Sequence, residues 1–164
     1  MSEVSGHDLS GIQYTASHDH TADRVVIVVS KWNPAVTESL FDGAVKTLLA
    51  TGIRAENILR YNVPGSFELP SAANLALHQH GNLDGVICLG CLIQGETRHF
   101  DFIADAVAHG VMNVGLDHNK PVIFGVLTTN TQEQAEARAG GDFGNKGSEA
   151  AVALLEMIDL HNGH

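Results

Sequence analysis

The sequence predicts an α/β fold, a three-layer α/β/α sandwich around a four-stranded parallel sheet. Short β-branched runs alternate with longer stretches whose apolar residues recur at helical spacing, and this alternation is the mark of strands joined by crossover helices. The first run, Val25-Val26-Ile27-Val28-Val29, is continuously apolar, as a strand buried on both faces must be. At 164 residues, 44% hydrophobic and 17% charged, the chain has the size and composition of one domain with its own core.

Residues 1–23 read as a polar lead-in, with Ile12-Gln13-Tyr14 a candidate short strand, and the regular pattern fills residues 24–164. After the first strand, Asn33-Pro34 reads as an N-cap followed by proline at the first helical position. Val36, Leu40, Ala44, Leu48 and Leu49 form the stripe of that helix, and Gly52 ends it. Residues 58–63 form the second strand, Pro64-Gly65 a turn, and residues 68–80 a helix burying Leu69, Ala73, Ala76 and Leu77. The third strand is expected over residues 85–90. A glycine-containing loop over 91–97 then leads to a helix carrying Phe100, Ile103, Val107, Val111 and Val114. Residues 121–128 make the fourth strand. Thr131-Gln132-Glu133-Gln134 fits a capping box opening a short helix that ends near Gly140-Gly141, and a last helix over 148–160 buries Ala151, Leu154, Leu155 and Ile158. Four strands with right-handed crossovers make a small, flavodoxin-like doubly wound sheet.

Charge and composition exclude several classes of function. Nine Lys and Arg face 19 Asp and Glu, a net charge of −10 with no basic stripe, which argues against general nucleic-acid binding. An anionic substrate would have to be held by a few positive groups focused at one place. No apolar run approaches the length that spans a bilayer, and residues 1–10 lack the basic head and apolar stretch of a signal peptide, so a cytoplasmic location is expected. Cys88 and Cys91 are formally a CxxC, but Cys88 falls inside a strand rather than at a helix start, so the pair reads as small apolar packing rather than a redox motif. His7, His18, His20, His161 and His164 lie in the terminal segments and read as solvated rather than as metal ligands.

Doubly wound folds bind ligands outside the carboxyl ends of their strands. That rule selects residues 30–33, 64–68, 90–99 and 128–130, all rich in glycine, polar and aromatic residues. His99 sits at a helix start, where the dipole favours the neutral imidazole and proton transfer near neutrality is natural. A capping or surface histidine fits the same position. Glu96 and Thr97, with Gly95 allowing close approach, stand where helix-start N–H groups can bind phosphate, and an ordinary capped start fits equally. Arg138 offers a fork matching phosphate, or a charge complementing a helix C-terminus. Gly144-Asn145-Lys146-Gly147-Ser148 is not a P-loop, because Asn145 intervenes and a helix rather than a strand precedes it, but Lys146 on such a loop can still reach an anion. Trp32 can stack on a planar heterocycle or close the rim of the core.

Five motifs together resemble the 6,7-dimethyl-8-ribityllumazine synthase family over residues 24–160. They are Lys31-Trp32-Asn33; Val63-Pro64-Gly65-Ser66-Phe67-Glu68-Leu69-Pro70; Gly90 through Gly95-Glu96-Thr97-Arg98-His99-Phe100-Asp101; Pro121-Val122-Ile123-Phe124-Gly125-Val126-Leu127-Thr128; and Arg138-Ala139-Gly140 with Gly144-Asn145-Lys146-Gly147. The resemblance implies condensation of 5-amino-6-(D-ribitylamino)uracil with 3,4-dihydroxy-2-butanone 4-phosphate, without metal or organic cofactor. It implies His99 as general acid/base and Trp32 stacking on the pyrimidine. It implies that Ser66, Phe67 and Glu68 hold the uracil and ribityl chain, and that Cys91, Leu92 and Ile93 meet the pyrimidine through their backbone. Glu96, Thr97 and Arg138 lie on the phosphate side, with Lys146 nearby. The resemblance also implies that Phe124 and Arg138 are lent by a neighbouring subunit.

The implied assembly is a homopentamer, which some members extend to a 60-subunit icosahedral shell. The short connection over 140–147 leans toward the shell, the lead-in near residues 12–14 is expected to extend a neighbour's sheet, and riboflavin synthase is the implied protein partner. Two departures stand out. Gln94 replaces an Arg or Lys of many members, which places more of the phosphate binding on Arg138, and Trp32 replaces a Phe. Two other readings compete. One is a non-catalytic flavin-binding or shell-forming homologue. The other is a monomeric flavodoxin-like module, which would not require Arg138 or the 144–147 segment.

Overall fold

In the computed structural model, which describes residues 14–163, the central strand β1 (Val25–Ser30) lies between β2 (Ile58–Val63) and β3 (Gly85–Ile93). Strand β4 (Val122–Thr129) adds beyond β3. The order is β2-β1-β3-β4 and every pairing is parallel, with Val25 opposite Ile58 and Gly85, and Val86 opposite Val122. Helices α1 (Pro34–Ala50), α2 (Leu69–Gln79), α3 (His99–His118) and α5 (Lys146–His161) flank the sheet. The short α4 (Gln132–Ala137) and a hairpin of β5 (Ala139–Gly141) and β6 (Gly144–Asn145) lead into α5.

The period-two geometry of β1 builds both halves of the core. Val25, Ile27 and Val29 meet Leu40 and Leu48 of α1 and Leu154 and Leu155 of α5. Val26 and Val28 meet Leu69, Ala73 and Ala76 of α2 and Val107 and Val111 of α3. The sheet therefore carries α1 and α5 on one face and α2 and α3 on the other, the expected three layers. Each fully buried aliphatic side chain contributes about 1.5–3 kcal/mol of transfer free energy. Helices α1 and α5 approach closely, with backbone against backbone at Gly147. A Cβ at Gly147 would lie 1.8 Å from the Leu40 carbonyl oxygen, and one at Gly43 would lie 2.4 Å from the Asn145 side chain.

Several local expectations need correction. Strand β3 runs on through Cys91, Leu92 and Ile93, which pair with Leu127, Thr128 and Thr129, rather than stopping at Gly90. Gly90 is not a breaker but a place of close approach, since a Cβ there would sit 2.5 Å from Ser66 Oγ. A 3-10 turn over Ser66–Glu68 precedes α2. Leu49 is 43% exposed and lies outside the buried stripe of α1. On α3 only Val107 and Val111 are buried, while Phe100, Ile103 and Val114 are half-buried. Helix α5 begins two residues earlier than expected, because the Asn145 side chain accepts from the Gly147 and Ser148 N–H groups. Ile12 and Gln13 of the candidate strand lie outside the described residues, and Tyr14 has irregular backbone.

The largest correction concerns the terminal histidines. His20 is 1% exposed and His18 is half-buried, because residues 14–23 fold back against the end of α5. There the Tyr14 hydroxyl donates to Asp159, and burial together with that carboxylate pushes the Tyr14 phenol above its ordinary range. His161 is exposed, and His7 and His164 lie outside the described residues. Among the described residues no helix is long and apolar enough to cross a membrane.

Candidate functional site

All four parallel strands deliver their carboxyl ends to one edge of the sheet. The chain leaves β1 toward β2 on one side and returns as β3 on the other, so the loops after β1 and β3 diverge around a crevice. A concavity of about 410 Å3 opens there. It is lined by Trp32 after β1, Ser66 and Phe67 after β2, Cys91, Leu92 and Ile93 at the end of β3, and Thr97 and His99 at the start of α3. Eight of the residues singled out from sequence are therefore brought together, from four separate segments of the chain.

Their environments differ in ways that matter for binding. Trp32 is 53% exposed and Phe67 58%, large apolar surfaces left open beside a cavity. Ser66 is buried, and its hydroxyl has no hydrogen-bond partner among the described residues. His99 opens α3 as an exposed residue, and its backbone N–H lies 3.4 Å from Thr97 Oγ1. Cys91 presents strand backbone here while its side chain joins the core on the α1 and α5 side. Cys88 points to the opposite face, so the two sulfurs do not converge. Burial pushes the Cys88 thiol up to about 12 and the Cys91 thiol up to about 11. Both stay protonated, as the packing reading expected.

Glu68 and Glu96 do not line this cavity. Glu68 is exposed and accepts the Gly65 N–H at 3.0 Å, which anchors the 3-10 turn carrying Ser66 and Phe67. Glu96 is exposed on the loop before α3.

A second concavity of about 690 Å3 follows the outer edge of β4, and it holds Phe124, Arg138 and Lys146. It shares no lining residue with the first. Phe124 is 41% exposed on the edge strand. The Arg138 guanidinium donates to the Gln134 carbonyl at 3.0 Å and stacks 4.9 Å over Phe143. Lys146 Nζ stands 3.4 Å from Glu149. Within one chain, then, the expected phosphate-side residues are divided, with Thr97 in the first concavity and Arg138 in the second.

Sequence reasoning missed the link between the two regions. Asn33 does not cap α1 with its side chain. Its backbone is left-handed, with φ 61°, and its amide pairs reciprocally with that of Gln132 at 2.8 and 3.1 Å. That pair ties the loop bearing Trp32 to α4, which ends at the Arg138 region. The only sequence signal was Asn33 itself, a residue type that tolerates the left-handed region. Thr131 does cap α4, accepting the Gln134 N–H at 3.2 Å.

Residues 22–162 match the family described as 6,7-dimethyl-8-ribityllumazine synthase. The chain is 53% identical to the 6,7-dimethyl-8-ribityllumazine synthase of Cytophaga hutchinsonii, over 94% of this chain and 98% of that protein. It is 47% identical to the enzyme of the same name from Porphyromonas gingivalis, over 94% and 95% of the two chains. With that of Pediococcus pentosaceus the identity is 44%, over 90% and 94%.

Proposed function

The chain belongs to the 6,7-dimethyl-8-ribityllumazine synthase family, and from that premise we propose how its own residues carry the reaction. The enzyme condenses 5-amino-6-(D-ribitylamino)uracil with 3,4-dihydroxy-2-butanone 4-phosphate, in the penultimate step of riboflavin biosynthesis. The amine attacks the ketone, water leaves as the C=N bond forms, phosphate is eliminated, and ring closure of the ribitylamino nitrogen onto the remaining carbonyl, with loss of a second water, gives the lumazine. This chemistry consists of proton transfers and positioning.

The observation that carries the reading is the convergence of an aromatic platform, an unpartnered buried hydroxyl and a histidine on one concavity. Trp32 and Phe67 would sandwich the pyrimidine, Ser66 and the strand backbone of Cys91, Leu92 and Ile93 would hold its polar edge, and Glu68 would accept from the ribityl hydroxyls. His99 would shuttle protons, and Glu96 and Thr97 would border the phosphate. The separation of Phe124, Arg138 and Lys146 onto the β4 edge supports a site completed between subunits, each chain lending that edge to its neighbour. A homopentamer with shared sites meets this need, and residues 24–164 form its repeating domain. The short β5–β6 hairpin fits further assembly into a shell. A cytoplasmic location and riboflavin synthase as the partner that consumes the product complete the reading.

The test is lumazine formation followed optically against the uncatalysed background. Replacing His99 by Ala is expected to lower the catalysed rate by about 10²–10⁴-fold without unfolding an exposed position. Equal rates in the two proteins would remove His99 from the mechanism. An oligomeric, folded wild-type protein with no acceleration would return the site to ligand binding alone.

A further inference from the structure

The buried cluster of the lead-in lies far from the substrate cavity. Asp23 precedes β1 and Trp32 follows it, so a six-residue strand, about 20 Å of chain, separates them. Five polar side chains meet there. The Tyr14 hydroxyl donates to Asp159 Oδ2, so its oxygen is left to accept from His20 Nε2 at 2.7 Å. The same nitrogen lies 3.1 Å from Asp159 Oδ1. These contacts hold Nε2 against Asp159 and Tyr14 and turn Nδ1 the other way. On that side stands Asp23, with Oδ2 at 2.7 Å from Nδ1, and His18 Nε2 lies 3.4 Å from Asp23 Oδ1.

Ring nitrogens of His18 and His20 thus converge on the Asp23 carboxylate. The ligating atoms of His18, His20 and Asp23 all lie within 4.8 Å of one another. The 3.4 Å between His18 and Asp23 is close to the ~3.3 Å edge of a tetrahedron with bonds of about 2.0 Å. Behind the ring, Asp159 and Tyr14 grip the outward N–H of His20, the arrangement that orients metal-binding histidines. Two imidazoles and one carboxylate suit a borderline cation rather than Mg²⁺ or Ca²⁺.

We propose that His18, His20 and Asp23 form a binding site for a divalent cation of the zinc class, with the half-exposed side of His18 leaving the fourth position to water. Its role is structural: it pins the lead-in to the amino end of β1 and, through Asp159, to the end of α5. The site stands apart from the synthase chemistry and does not depend on it.

The full-length chain without an affinity tag, freed of metal by a chelator and dialysed, is titrated with zinc by calorimetry. Cobalt, titrated in parallel, reports tetrahedral coordination through its visible absorption. One equivalent is expected to bind each chain, with a cobalt spectrum and a higher melting temperature on zinc addition. His18→Ala leaves the described contacts of His20 with Tyr14, Asp159 and Asp23 in place, so the fold should persist. It should weaken binding at least about tenfold and abolish the zinc-dependent rise in melting temperature. Replacing His78 and His118, a surface pair whose rings lie 4.8 Å apart, should change none of these readouts. A wild-type chain that takes up no stoichiometric zinc, or an isotherm that His18→Ala leaves unaltered, overturns the proposal and leaves a proton as the only cation between His20 and Asp23.

Discussion

Gly147→Ala probes the place where the helical layer is closest to its limit. The added Cβ would stand 1.8 Å from the Leu40 carbonyl oxygen, 2.5 Å from its carbon and 2.8 Å from its Cα. All three are backbone atoms of α1, so no side-chain rotation relieves the clash. Ordinary contact requires α5 to retreat by about 1.5 Å at this point, and a gap of that size forfeits much of the dispersion energy of the atoms lining it. The buried residues that lose contact are Leu40 and Ala44 on α1 and Ala150, Ala151 and Leu154 on α5. Overpacking of this kind costs about 3 kcal/mol, against which alanine regains about 1 kcal/mol of helix propensity over glycine. The net loss of about 2 kcal/mol should lower the melting temperature by about 4–8 °C in a chain of this length. Lys146 is the neighbouring residue, so the activity should fall together with stability. Gly95→Ala is the control, since a Cβ there meets nothing within 4 Å and stability should stay within about 0.5 kcal/mol. Thermal unfolding monitored by circular dichroism measures both variants. A Gly147→Ala protein melting within 1 °C of the parent would refute the close-approach argument.

Two further outcomes follow from the charged groups. Arg138→Ala removes a guanidinium from the β4-edge concavity, while Gln94 leaves no second cation at its own position. The Michaelis constant for the butanone phosphate should rise roughly 10- to 100-fold, with that for the uracil substrate little changed, and an unchanged phosphate constant in steady-state kinetics would exclude the role. Glu38 is held below the ordinary glutamate range by its hydrogen bonds from Arg60, which outweigh the opposing effect of burial. A depressed carboxyl contributes stability that is present above its unfolded value and lost as pH falls through its folded value. The stability difference between the parent and Glu38→Gln should therefore vanish on acidification below the carboxylate range. Urea midpoints measured across that range check it, and a difference that persists in acid would assign the effect to packing.

Local pattern carried much of the architecture. The β-branched run at 25–29, the stripes of α2 and α5 and the capping residue Thr131 each express a periodicity or a hydrogen bond spanning a few residues, and the structure reproduces them. The same locality explains the failures. Gly90 looks like a strand end because a glycine lacks β propensity, yet its presence is required by Ser66, distant in sequence but pressed against β3. Asn33 looks like a cap because its neighbour is proline, but its partner is Gln132, 99 residues away. His20 looks solvated because its neighbours in sequence are polar, and it is buried by α5 from the other end of the chain.

The candidate site divides along the same line. The residue types at the carboxyl ends of the strands, and the family they resemble, could be read from order and spacing, since parallel crossovers oblige those segments to share one edge of the sheet. The grouping could not. That Trp32, Ser66, Phe67 and His99 face one concavity while Phe124, Arg138 and Lys146 face another follows from the position of β4 at the sheet edge. That position is a product of long-range packing, in which each contact depends on all the others, and no window of sequence contains it. The polar clasp of Tyr14, His20, Asp23 and Asp159 is of the same kind, because it joins the two ends of the chain through hydrogen bonds that exist only once the core between them has formed.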